Sequence, residues 1–73
     1  MMEQFITDVV ELFDEKPDFE INENTIFKDL SGWDSLVSLS LIVMVSNDYG
    51  KSIDGETIRR CDTIRELYQA VNG

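Results

Sequence analysis

A chain of 73 residues with 42% apolar residues is one small domain able to fold around a compact core, so wholesale disorder is excluded. Fifteen acids against six bases leave a net charge of −9, which disfavours nucleic acid and anionic membranes and favours basic partners. The absence of histidine removes the usual general base, every Ser-His or Cys-His pair and imidazole zinc sites, and a single cysteine excludes an intramolecular disulfide.

The first element spans Met2 to Asp14. Phe5, Val9 and Phe13, with Ile6 and Val10, repeat at helical spacing, and Glu3, Asp8 and Glu11 supply a wet face. Pro17 is expected to end this helix, because the residue before a proline disfavours the α region. The start, Met1-Met2-Glu3-Gln4, has no basic stretch, so no signal peptide is expected. From Glu15 to Trp33 the periodicity breaks. Phe19, Ile21, Ile26, Phe27 and Leu30 are scattered among polar residues, and such a long connection needs apolar anchors on the core. Phe27 to Leu30 has room for one helical turn.

Asp34 follows the break at Ser31-Gly32 and is placed to cap a second helix from Ser35 to Tyr49, with Gly50 as its stop. The interior, Leu36 to Val45, is apolar nearly all round and alternates in part, so a strand competes. Length and the two caps favour helix. The uncharged run Ser35 to Asn47 is too short to span a bilayer. Lys51 to Gly55 is a short loop with Ile53 pointing inward, and Asp54 to Cys61 holds about two turns of helix. Thr63-Ile64-Arg65-Glu66 reads as a capping box opening a last helix with Ile64, Leu67, Tyr68 and Val71 on one stripe.

Catalytic chemistry finds little purchase. The carboxylates are dispersed, and the candidate calcium loop Asp48–Arg59 has Ile53 where the sixth-position glycine is required. The four glycines stand alone and form no phosphate loop. Arg59 and Arg60 could lower the Cys61 thiol pKa, but a small core residue is the simpler reading. The same arginines are expected to pair locally with Asp54, Glu56 or Asp62. No catalytic or metal-binding residue is assigned.

One constellation remains: Gly32-Trp33-Asp34-Ser35-Leu36, where the long loop meets the second helix. Asp-Ser-Leu at this place resembles the attachment motif of acyl and peptidyl carrier proteins. The resemblance covers essentially the whole chain, including Phe27-Lys28-Asp29-Leu30, Tyr49-Gly50, Ile53 and Thr63-Ile64. It implies an all-α fold: a right-handed, four-helix carrier-like bundle of three main helices and one short helix, with a long loop between the first two. It also implies a 4′-phosphopantetheine joined to Ser35 through a phosphodiester, with Asp34 and Leu36 beside it. The arm's thiol would hold acyl, aminoacyl or peptidyl cargo as a thioester. The implied partners are a phosphopantetheinyl transferase, a loading ligase or acyltransferase, and the downstream biosynthetic enzymes. Elementary physics agrees with the assignment. The opening turn of a helix favours an anion, and a serine without a base is a substrate for another enzyme more readily than a nucleophile.

The second helix departs from the pattern of bacterial fatty-acid carriers. Val37, Ser40, Ser46 and Asn47 stand where acids would be expected, and only Asp34 and Asp48 flank the helix. Leu36, Leu39 and Val43 share one face at helical spacing. They are either core or, if exposed, an apolar docking strip. A strip would point to a specialised pathway more than to housekeeping fatty-acid synthesis. Trp33 is either an anchor for the loop or an apolar wall beside the arm, with the anchor favoured and a share in partner contact. Met44, Leu41, Val45 and Ile64 are ordinary filling or the walls of an acyl pocket. The expectation is a discrete, cytoplasmic, monomeric carrier that binds neither nucleic acid nor membrane. The alternative is a non-covalent acidic helical interaction module without a prosthetic group.

Overall fold

Phe5 and Val9, one turn apart on the first helix, are both fully withdrawn from solvent. In the computed structural model, which describes residues 2–72, this helix is α1 (Met2–Val10). It ends short of the expected Asp14. The Glu11 N–H still reaches the Thr7 carbonyl (3.0 Å), but Leu12 and Phe13 bond only three residues back, to Val9 and Val10 (3.1 Å each). This tighter winding ends the α-helix and leaves Phe13 buried beside Trp33, with ring centroids 6.4 Å apart. Lys16 Nζ then donates to the Phe13 carbonyl at 3.2 Å. The α-helix thus ends at Val10, well before Pro17, so the proline does not set the boundary.

The long connection is anchored at several points. An Asx turn closes on itself, with the Asn24 N–H donating to Asn22 Oδ1 (2.8 Å). The segment then lies along the start of the last helix. The Ile64 N–H donates to the Thr25 carbonyl (3.1 Å), Phe27 N–H to Asp62 (3.2 Å) and Arg65 N–H to Glu23 (2.8 Å). Ile26 and Thr63 form an isolated antiparallel bridge there. Phe27, fully buried, opens a single 3-10 turn, Phe27–Asp29.

The second helix, α2 (Ser35–Tyr49), buries Val37, Leu41, Met44 and Val45 at helical spacing, so the helical alternative is the one realised. Gly50 terminates it at φ 65°, a left-handed conformation that favours glycine, and the Gly50 and Lys51 N–H groups turn back to the Val45 carbonyl. The short helix α3 (Gly55–Arg60) is capped by Asp54, whose Oδ1 accepts from the Thr57 N–H (2.9 Å) and hydroxyl (3.0 Å). The last helix, α4 (Ile64–Asn72), opens with the expected capping box. The Glu66 N–H donates to Thr63 Oγ1 (3.2 Å), while Glu66 Oε1 accepts from the N–H groups of Thr63 (3.0 Å) and Asp62 (2.6 Å).

The fold is all-helical, as expected: among the described residues there are four α-helices and no strand. Helix α1 packs on α4 and α2 on α3 around one hydrophobic cluster. Leu41, Val45, Ile64, Leu67 and Val71 lie in that cluster, and Ile53 points into it from its loop. Cys61, at the end of α3, is also buried there. Desolvation pushes its thiol pKa up, Glu66 adds to the rise, and the cations Lys28 and Arg60 do not reverse it. Among the described residues no helix is long and apolar enough to cross a membrane.

Candidate functional site

The chain enters α2 through a fixed turn. Gly32 adopts φ 96°, where an L side chain would be strained, and the Trp33 N–H closes back on the Leu30 carbonyl at 3.1 Å. The Trp33 ring, half-buried, meets Phe27 edge-on with centroids 4.9 Å apart and planes at 72°. Since Phe27 is fully buried, this pair ties the loop end to the core.

From that anchor, extended backbone at Asp34 places its Oδ1 on the Val37 N–H at 2.9 Å. The cap engages one of the free donors that open α2 and starts the helix at Ser35. Ser35 is exposed. Its neighbour Asp34 is committed to capping, and no histidine exists in the chain, so nothing nearby would activate the hydroxyl as a nucleophile. What the position offers is an accessible oxygen at the positive end of a fifteen-residue helix dipole.

The other residues singled out in the sequence lie along the same helix. Leu36 (69% exposed), Leu39 (57%) and Val43 (49%) are solvent-facing. They lean toward α1. Leu39 and Val43 share a groove with Leu12 and Met44, rimmed by Asp8, Glu11 and Asp48. Leu36 lines an adjoining depression that reaches Asp34 and Gly32 and shares Leu12 and Ser40 with the first. Asp8 is held in place by the Tyr49 hydroxyl, which donates to Oδ2 at 2.6 Å. Desolvation and that carboxylate raise the phenol pKa well above its ordinary value.

On the opposite, α3 side of Ser35 lies a depression that also takes in Lys28, Trp33, Ser38, Ile58 and Arg59. The sequence offers no hint that Lys28 and Arg59 meet. They are separated by 31 positions, and the Lys28 ammonium reaches the Arg59 carbonyl at 2.8 Å only because the 3-10 turn packs beside α3. Arg59 itself pairs with Glu56 (2.7 Å), as expected, whereas Asp62 has Lys28 as its nearest cation at 3.9 Å.

The profile of the phosphopantetheine attachment site family matches residues 4–71. Among solved structures, the holo acyl carrier protein from Geobacter metallireducens, determined by solution NMR, is similar with a TM-score of 0.76. The match covers 97% of this chain and 80% of that one at 20% sequence identity, a level that speaks to the fold. No curated protein sequence matches the chain. Proteins of this family work with a phosphopantetheinyl transferase and with biosynthetic enzymes. The profile match from α1 to α4 and the acyl carrier fold lead to one conclusion: the chain belongs to the phosphopantetheine attachment site family, as a non-catalytic carrier with a covalently bound 4′-phosphopantetheine.

Proposed function

We propose that Ser35 is the residue that carries the 4′-phosphopantetheine, with Asp34 and Leu36 as its immediate neighbours. Residues 1–73 act as a single carrier domain that holds acyl, aminoacyl or peptidyl intermediates as thioesters on the arm. The observation that carries this reading is the exposed Ser35 at the first position of α2, capped by Asp34. A phosphodiester formed there keeps a negative charge, and the opening turn of a helix stabilises it. Open space on both sides of the position suits a long, mobile arm. Tethering raises the effective concentration of cargo at each partner enzyme.

The exposed strip Leu36, Leu39 and Val43, with Trp33 at its head, supports docking through apolar contact. Ser46 and Asn47 are exposed and uncharged, so α2 offers few carboxylates to a basic patch. Of the acids near the strip, Asp8 lies on α1, Glu11 just past its end and Asp48 in the last turn of α2. This distribution favours a specialised biosynthetic pathway over housekeeping fatty-acid synthesis. The partners on this reading are a phosphopantetheinyl transferase, a loading ligase or acyltransferase, and enzymes that consume the cargo. The carrier works as a monomer, without nucleic acid or membrane. A lone free thiol suits a reducing compartment, the cytoplasm.

The test is intact mass after incubation with coenzyme A and phosphopantetheinyl transferases of broad and of native-host origin. The parent should gain one phosphopantetheine and Ser35→Ala none. A gain that persists in Ser35→Ala would move the attachment to another residue.

A further inference from the structure

Ser35, Leu39 and Val43 follow one another at four-residue spacing along one face of α2. Leu39 and Val43 therefore stand about 6 and 12 Å up the helix axis from Ser35. With Leu12 and Met44 they wall a groove of about 480 Å³. That volume lies within the range of small-molecule sites, roughly 300–1,000 Å³.

The groove is polarised along its length. Its apolar wall begins one turn from Ser35, and two carboxylates close the far end. Asp8 accepts from the Tyr49 hydroxyl at 2.6 Å and from the Gln4 amide at 2.9 Å, both neutral donors, so it keeps its charge and part of its acceptor capacity. Tyr49 is the last residue of α2 and Asp48 precedes it, so Asp8 of α1 and Asp48 of α2 meet where the second helix ends. Among the described residues neither has a cationic partner, whereas Glu11, on the same rim, is paired with Lys16 at 3.7 Å. An occupant that matches this order is apolar first and cationic last, counted from Ser35.

Length supports a tethered occupant. A phosphopantetheine has about thirteen bonds between phosphorus and sulfur, the equivalent of roughly four extended residues, or about 15 Å. Asp48 lies about 20 Å along the axis from Ser35. The thioester would come to rest near Val43, and a short chain beyond it would reach the carboxylates. A methyl end would gain nothing from them, whereas an ammonium would form charge-assisted hydrogen bonds.

We propose that this groove seats the cargo and selects an ω-aminoacyl group, with its methylenes against Leu12, Leu39 and Val43 and its terminal ammonium between Asp8 and Asp48. The inference rests on Ser35 being the attachment residue, and it narrows the cargo to a cationic class. A partner enzyme that docks on the strip would displace the cargo from the groove and receive it.

The experiment loads nitrogen-15-labelled protein from coenzyme A analogues carrying amide-linked 6-aminohexanoyl or heptanoyl chains, which differ only in the terminal ammonium or methyl. Intact mass of parent and Ser35→Ala first establishes where the arm sits. The readout is the amide shift of Leu12, Leu39, Val43 and Asp48 relative to the arm without cargo. The 6-aminohexanoyl chain should move these signals about threefold more than heptanoyl, the population shift that an exposed ion pair commands, and the excess should vanish at high salt. Asp48→Asn should bring the 6-aminohexanoyl shifts down to the heptanoyl level, and Glu56→Gln, outside the groove, should leave them intact. With the arm on Ser35, equal shifts from the two chains, no shift from either, or an excess that survives Asp48→Asn would each overturn the proposal. An arm found elsewhere by mass would overturn the Ser35 reading, and this inference with it.

Discussion

Trp33 stands edge-on to Phe27 at 4.9 Å between ring centroids, and this contact joins the residue before the α2 cap to the centre of the core. The start of α2 is therefore held from below by packing and from within by the Asp34 cap. Trp33→Ala should lower stability by about 2 kcal/mol, less than a fully buried aromatic because the ring is only half-buried. Urea unfolding of the apo protein would measure it, and a loss near zero would mean that the loop end is anchored elsewhere.

The cap and the neighbouring hydroxyl are separable. Asp34→Ala removes the acceptor for the Val37 N–H and should lower stability by about 1 kcal/mol. Ser35→Ala touches an exposed position in the first turn and should change stability by less than about 0.5 kcal/mol. Denaturant midpoints of the two variants, set beside their phosphopantetheine gain, distinguish a folding role from an attachment role.

The same helix predicts opposite outcomes on its two faces. Leu41 is fully buried, and Leu41→Ala should cost about 2–5 kcal/mol through the lost contacts and the cavity left behind. Leu39→Ser lies on the exposed strip and should leave stability within about 0.5 kcal/mol of the parent. If the strip docks partners, Leu39→Ser should raise the KM of a partner enzyme for the holo carrier while the melting curve stays unchanged.

Acid sensitivity should trace in part to the α4 capping box. Hydrogen bonds from the Asp62 and Thr63 N–H groups hold the Glu66 carboxyl below its ordinary range, against a small desolvation effect and with help from Lys28. A carboxyl depressed in the folded state contributes stability above its unfolded pKa, and the contribution fades as pH falls through the folded one. Glu66→Gln keeps an acceptor at the same place but does not titrate. The stability difference, parent minus variant, should therefore be largest at neutral pH and shrink as the pH drops through the carboxylate range. A difference independent of pH would remove Glu66 from the acid response.

Gly50 ends α2 at φ 65° with open space around its α-carbon, so only backbone strain opposes a side chain there. Gly50→Ala should cost about 1 kcal/mol, and Gly50→Asn less, because asparagine tolerates the left-handed region. Thermal unfolding of the two variants checks the order.

What the sequence by itself determined is the set of features written in adjacent residues. The bounds of α2 follow from Asp34 and Gly50, and the start of α4 from Thr63 and Glu66, because caps act within one turn of backbone. The Asp34-Ser35-Leu36 constellation and its place at a helix start were legible for the same reason. The end of α1 was not. The 5/9/13 stripe runs through Phe13, and only the structure shows that the winding tightens after Val10 and that Phe13 packs beside Trp33, 20 positions away. Nor did the sequence decide whether Leu36, Leu39 and Val43 face core or solvent, since α2 is apolar nearly all round and periodicity points in no direction. The rest of the hydrophobic cluster covers Val37, Leu41, Met44 and Val45 and leaves the other stripe bare. The meeting of Lys28 with Arg59 likewise belongs to the tertiary structure, because a contact between residues 31 apart exists only once the 3-10 turn has packed beside α3.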